Sequence, residues 1–148
     1  MSANRCKLAA VIACVAMALP QTSIAAEEKA VKASPKERII IQVSDADPKK
    51  WNLALNNAKN VQTDLGADKT EIEIVAYGPG IEMLKADAIV ANRIEDAVAS
   101  GVRVVACENT MKAQKLGRDD MHKKIDYVNA GVVELMRRQQ QGYAYIRP

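Results

Sequence analysis

An α/β protein built on a mostly parallel five-stranded sheet is what this sequence predicts, and three observations carry the prediction. Apolar, β-branched runs at 38–43, 70–77 and 102–106 are each followed by a longer segment whose apolar residues recur at helical spacing. Gly, Pro, Asn or Asp stands at nearly every junction between the two kinds of segment. The resulting order, β-α-β-α-β-α-β-α-β, suits parallel strands, because each parallel pair needs a crossover and right-handed crossovers put helices on both faces.

The elements follow in order. Residues 38–43 (RIIIQV) are almost wholly apolar, as a strand covered on both sides must be. Asp47 is a good N-cap and Pro48 a good first helical residue, since proline's missing N–H would have no helical partner there. Trp51, Leu55, Ala58, Val61 and Leu65 then mark a helix that Gly66 closes. In 70–77 (TEIEIVAY), Ile72 and Ile74 alternate with Glu71 and Glu73, which predicts a strand with one partly solvated face, toward a sheet edge. Tyr77-Gly78-Pro79-Gly80 makes a tight loop, 81–84 a short helical turn, and 87–100 a helix with Ile94, Ala97 and Val98 inward, stopped at Ser100-Gly101. Residues 102–106 form the next central strand. Asn109 or Thr110 caps a short helix reaching Leu116-Gly117. A polar stretch leads to a strand at 125–128. Gly131 opens a helix bearing Val132, Val133, Leu135 and Met136, Gly142 ends it, and 143–146 is the closing strand.

Residues 1–26 read as a secretory signal peptide. Arg5 and Lys7 supply the basic start, and 8–19 is an apolar run too short to span a bilayer. Pro20 breaks that run, and Ser23-Ile24-Ala25 or Ile24-Ala25-Ala26 offers small residues for cleavage. A second reading takes Val11-Ile12-Ala13-Cys14 as a lipoprotein box; the apolar run continuing past Cys14 to Leu19 speaks against it. The expected address is the periplasm or the exterior, with no membrane association after cleavage. Residues 27–37 are a charged, flexible leader, and 38–148 one domain. With Arg5 and Lys7 removed, basic and acidic residues nearly balance, from 21 and 18 in the whole chain. A nucleic-acid partner would want a basic patch with aromatics; phenylalanine is absent and only one Trp and four Tyr are present.

Cys6 and Cys14 lie in the leader, which leaves Cys107 the only thiol of the mature chain. It follows a central strand, at the sheet edge where open α/β folds bind ligands. An unpaired cysteine in an oxidising compartment is reactive, buried and inert, or paired between chains. A following helix N-terminus would lower its pKa, and the charge of Glu108 would oppose that. Ser44 and Asp45 sit after the first strand at the same edge, and Gly78, Gly80, Asn109 and Thr110 are further candidates for lining a ligand crevice. The glycines equally suit a turn that needs permissive backbone, and Asn109 or Thr110 a cap. The glycine spacing is not a phosphate-loop or dinucleotide fingerprint. Asp45 and Asp47, or Cys107 with His122 (the only histidine), are too few for a metal, and no cofactor is expected.

Three segments in this order resemble the DsrE/DsrF-like family: Tyr77-Gly78-Pro79-Gly80-Ile81, then Gly101-Val102-Arg103-Val104-Val105-Ala106-Cys107-Glu108-Asn109-Thr110, then Gly131-Val132-Val133-Glu134-Leu135 with 141–148 (QGYAYIRP). The resemblance implies a flavodoxin-like, three-layer α/β/α sandwich that assembles into homo-oligomers, trimers or hexamers. In the sulfur-relay members a cysteine after a central strand carries sulfur as a persulfide, and Cys107 holds what looks like that position. The resemblance therefore implies a sulfur donor or acceptor, a protein or a small sulfur compound, as partner. Those members work in the cytoplasm, whereas this chain carries an export signal. The competing expectation is a non-catalytic module that binds a small ligand or a neighbouring subunit, with Cys107 as packing.

Overall fold

The computed structural model describes residues 35–148; the expected signal peptide, Cys14 and residues 27–34 of the leader lie outside the described residues. One five-stranded sheet has the order β4-β3-β2-β1-β5. Its strands are β1 (Glu37–Val43), β2 (Thr70–Ala76), β3 (Arg103–Cys107), β4 (Asp126–Val128) and β5 (Ala144–Ile146). All four pairings are parallel. The helices are α1 (Pro48–Leu65), α2 (Ala91–Ala99), α3 (Glu108–Ala113) and α4 (Gly131–Gln140).

The strand order dictates the layers. From β1 to β4 the chain steps across the sheet in one direction, so right-handed connections put α1 and α2 on one face. From β4 to β5 it crosses the whole sheet in the opposite direction, and the same handedness puts α4 on the other face. The first face carries the larger core: Ile39, Ile41, Ile72, Ile74, Val104 and Ala106 pack beneath Trp51, Leu55 and Ile94. The second carries only Ile40, Val75, Val105, Leu135 and Tyr143 as its buried apolar cluster.

Asp47 caps α1 as expected, accepting the Lys49 N–H at 2.8 Å. Several expectations are corrected. Strand β2 is central, not near an edge: Glu73 is buried on the second face by ion pairs to Arg103 and Arg138, so its charge marks an internal network, not solvent. Helix α2 starts later than residue 87, because Ala86 N–H donates to Asp120 O and His122 N–H to Leu84 O, which holds the preceding backbone in an extended crossing. Neither Asn109 nor Thr110 caps α3; the helix begins directly at Glu108, with Cys107 as the last strand residue and the cap position. That helix also stops at Ala113, short of Leu116. Leu65 projects from the last turn of α1 and is exposed.

Candidate functional site

Strand β3 passes into α3 on the first face, where Met111 joins the large core, whereas β4 passes into α4 on the second. The two connections diverge between neighbouring strands, the position at which open α/β folds bind ligands. Cys107 ends β3 at this point, paired in register with Val128 of β4. Strand alternation turns its side chain to the second face, alongside Arg103 and Val105.

The thiol is 5% exposed and bears no disulfide. Gly131, the first residue of α4, donates its N–H to Sγ at 3.3 Å. The Asn129 carbonyl lies 3.9 Å from Sγ and accepts from the thiol. The same carbonyl accepts Asn109 N–H at 3.1 Å, which stitches the two diverging connections together. The sulfur thus sits between the starts of α3 and α4. Burial alone would push its pKa up; the Thr110 hydroxyl and the N–H groups of Gly131, Thr110 and Asn109 outweigh that and hold it below the ordinary thiol value. Glu108, expected to oppose the thiolate, is turned to Arg118 at 2.9 Å.

Tyr77 forms the wall on the β2 side. A Cβ on Gly131 would come within 3.1 Å of the Tyr77 side chain, so any larger residue would press the ring aside where α4 starts. Burial, aided by Tyr145, holds the Tyr77 phenol protonated above its ordinary range.

The other sequence candidates divide. Thr110 joins the thiol and also accepts Gly78 N–H at 2.9 Å, tying the Gly78-Pro79-Gly80 loop to α3. The Gly78 and Gly80 N–H groups both donate within the protein, Gly80 to Tyr77 O at 3.1 Å. Gly80 also lets β1 and β2 close together, since a Cβ there would lie 2.4 Å from Val43 O. Asn109 contributes backbone to the site while its residue remains exposed. Ser44 and Asp45 follow β1, two strands from Cys107; Ser44 accepts from Gln42 at 3.1 Å and Asp45 pairs with Lys50 at 3.0 Å. His122 Nδ1 accepts Lys124 N–H at 3.2 Å. Among the described residues no three His, Cys, Asp or Glu converge as a metal site. Gly131, Asn129 and Tyr77 were not singled out from sequence as site residues. A glycine at the start of a helix on the opposite face from the preceding crossovers is the signal that marks them.

The family model described as DsrE/DsrF-like matches residues 37–148. A solved protein of unknown function from Methanobacterium thermoautotrophicum (MTH1491) is 34% identical with a TM-score of 0.73, and the match covers 76% of this chain and 100% of that one. A conserved protein of unknown function from Bacteroides thetaiotaomicron (BT1422) has 17% identity and a TM-score of 0.62, covering 76% and 95% of the two chains. The ychN protein from E. coli has 12% identity and a TM-score of 0.62, covering 76% and 99%. The last two support the fold alone. No curated protein matches.

Proposed function

This chain belongs to the DsrE/DsrF-like family, and on that footing we propose that it is an exported, homo-oligomeric sulfur carrier working through Cys107. The observation that carries the reading is the helix-start N–H that Gly131 donates to Sγ at 3.3 Å, which, with Thr110 beside the sulfur, favours the thiolate where the connections after β3 and β4 diverge. In the proposed step the thiolate attacks the outer sulfur of a sulfane donor R–S–SH. A new S–S bond forms to Cys107, the donor S–S bond breaks, and R–S⁻ leaves with the electron pair. An acceptor thiolate takes the outer sulfur from Cys107 by the same displacement, which returns the Cys107 thiolate. The donor is a persulfidated protein or a small sulfane compound, and the acceptor is a thiol of a protein or small molecule.

Incubation of residues 27–148 with a sulfane donor should add 32 Da, lost on reduction and absent from Cys107→Ser. Iodoacetamide should alkylate Cys107 in the folded protein faster than an ordinary thiol at neutral pH. Alkylation that requires denaturant, with no mass gain, overturns the reading. The 5% exposure of Cys107 favours a second reading, a binding or assembly module in which the thiol is packing, and that result would select it. Export and assembly rest on the leader and the family, and sedimentation of the mature chain as a monomer would remove the oligomer.

A further inference from the structure

Helix α4 lies almost alone on the second face, and its contact stripe is unusual. The positions turned to the sheet are Gly131, Glu134, Leu135 and Arg138, while Val132 and Met136 are exposed. Only Leu135 is a large buried side chain. The rest of the attachment is charged. Glu73 of β2, 2% exposed, accepts from Arg103 at 2.8 Å and from Arg138 at 2.9 Å, both on Oε2. Arg138 pairs with Glu134 at 2.8 Å, and Arg103 reaches Glu134 at 3.4 Å. Asp126 of β4 holds the far side of Arg103 at 2.9 Å, and Arg138 stacks over Tyr143 at 5.2 Å. Glu73 Oε1 is buried and accepts no hydrogen bond.

An ion network of this kind is a costly way to hold a helix, since well-packed apolar side chains usually stabilise as much or more. What charges add is direction: two guanidinium groups on one carboxylate fix where the helix sits along the strands. Arg138 lies two turns from Gly131, about 10 Å along the axis. Fixing one end of a rigid helix fixes the other, and the other end is the donor on Cys107.

We infer that Glu73 is a positioning residue for Cys107: from the central strand, through Arg138 and Glu134, it seats α4 so that the Gly131 N–H meets the sulfur. The inference rests on the thiolate reading above. It assigns Glu73 no contact with substrate.

Two variants and two readouts test it in the mature protein. Glu73→Gln keeps the shape and removes the charge; Glu73→Leu with Arg138→Leu replaces the anchor by apolar packing. The first readout is the pH profile of Cys107 alkylation, and the second is amide exchange of α4 against that of β1–β3. In Glu73→Gln, α4 should exchange about tenfold faster with the strands unchanged, and the profile should move up by about one unit, a tenfold loss of thiolate. In the double variant, restored α4 protection should bring the profile back to that of the parent. A folded Glu73→Gln with unchanged profile and exchange overturns the inference, as does a double variant whose profile stays displaced although α4 is protected. If Glu73→Gln does not fold, the double variant decides alone. A parent Cys107 with an ordinary pKa would defeat the thiolate reading instead, while the exchange comparison still reports whether Glu73 seats the helix.

Discussion

The two faces of one sheet are built by different rules. The first buries a continuous apolar layer from α1, α2 and the 78–84 turn against alternate residues of every inner strand. The second sets a ten-residue helix, through its own Leu135, on four buried apolar side chains and an ion network, with the candidate thiol at the start of the helix. Stability and chemistry are thereby separated. The first face can hold the strands without regard to Cys107, and the second tunes Cys107 because little else constrains α4.

The largest test of that division compares two core truncations. Ile74→Ala on the first face and Leu135→Ala on the second should each cost about 2–5 kcal/mol in urea unfolding. Only Leu135→Ala should also slow alkylation of Cys107 severalfold at neutral pH. Equal slowing by Ile74→Ala would mean the faces act as one unit.

Gly131→Ala is a finer probe. The new methyl would meet the Tyr77 ring at 3.1 Å, an overpacking cost of about 1–3 kcal/mol. By pushing the start of α4 off the sulfur it should also move the Cys107 alkylation profile to higher pH. Lost stability with an unmoved profile would show that Gly131 serves packing only.

The smallest effect concerns Tyr143, whose hydroxyl donates to Glu71 beneath the second face. Burial first, then that bond, push its pKa up from 10.0 to about 12. Between those values the unfolded chain has released the proton and the folded chain has kept it, so stability falls as pH rises through the window. Tyr143→Phe should flatten that fall in denaturation measured across alkaline pH. The lowered Cys107 pKa acts in the opposite sense, since its contribution is present above the unfolded value and lost as pH falls through the folded one.

The address of Cys107 was legible because it needs only local pattern: an apolar strand, a cysteine, then a helical segment. The fold class was legible for the same reason, through the alternation of apolar periods. The placement of β2 was not. Glu71 and Glu73 both alternate with isoleucines, yet Glu71 is exposed while Glu73 is buried. What separates them is Arg138, a residue of α4 far along the chain. Thr110 is a residue type that caps helices, and the sequence offers it as one. It is instead drawn inside the helix by Gly78 N–H and the sulfur, partners set by tertiary packing. Gly131 is legible as the start of a helix, but its close approach to Tyr77 is not, because that depends on which face α4 occupies. Local signals carried the strand that holds the thiol, and long-range contacts carried its electrostatics.

The long return from β4 to β5 also orders events in time. Strands β1 to β4 can pair successively as they leave the ribosome, each with the strand just before it. The final segment must instead close a loop across the domain, bringing Arg38 to the Gln141 carbonyl from 103 positions away. Contacts of such separation form late, because the entropy of closing the loop has to be met before they contribute. Helix α4 belongs to that last segment, and with it the N–H that meets Cys107. The nascent chain therefore lacks the Gly131 donor, and that part of the sulfur's surroundings is completed only when α4 docks.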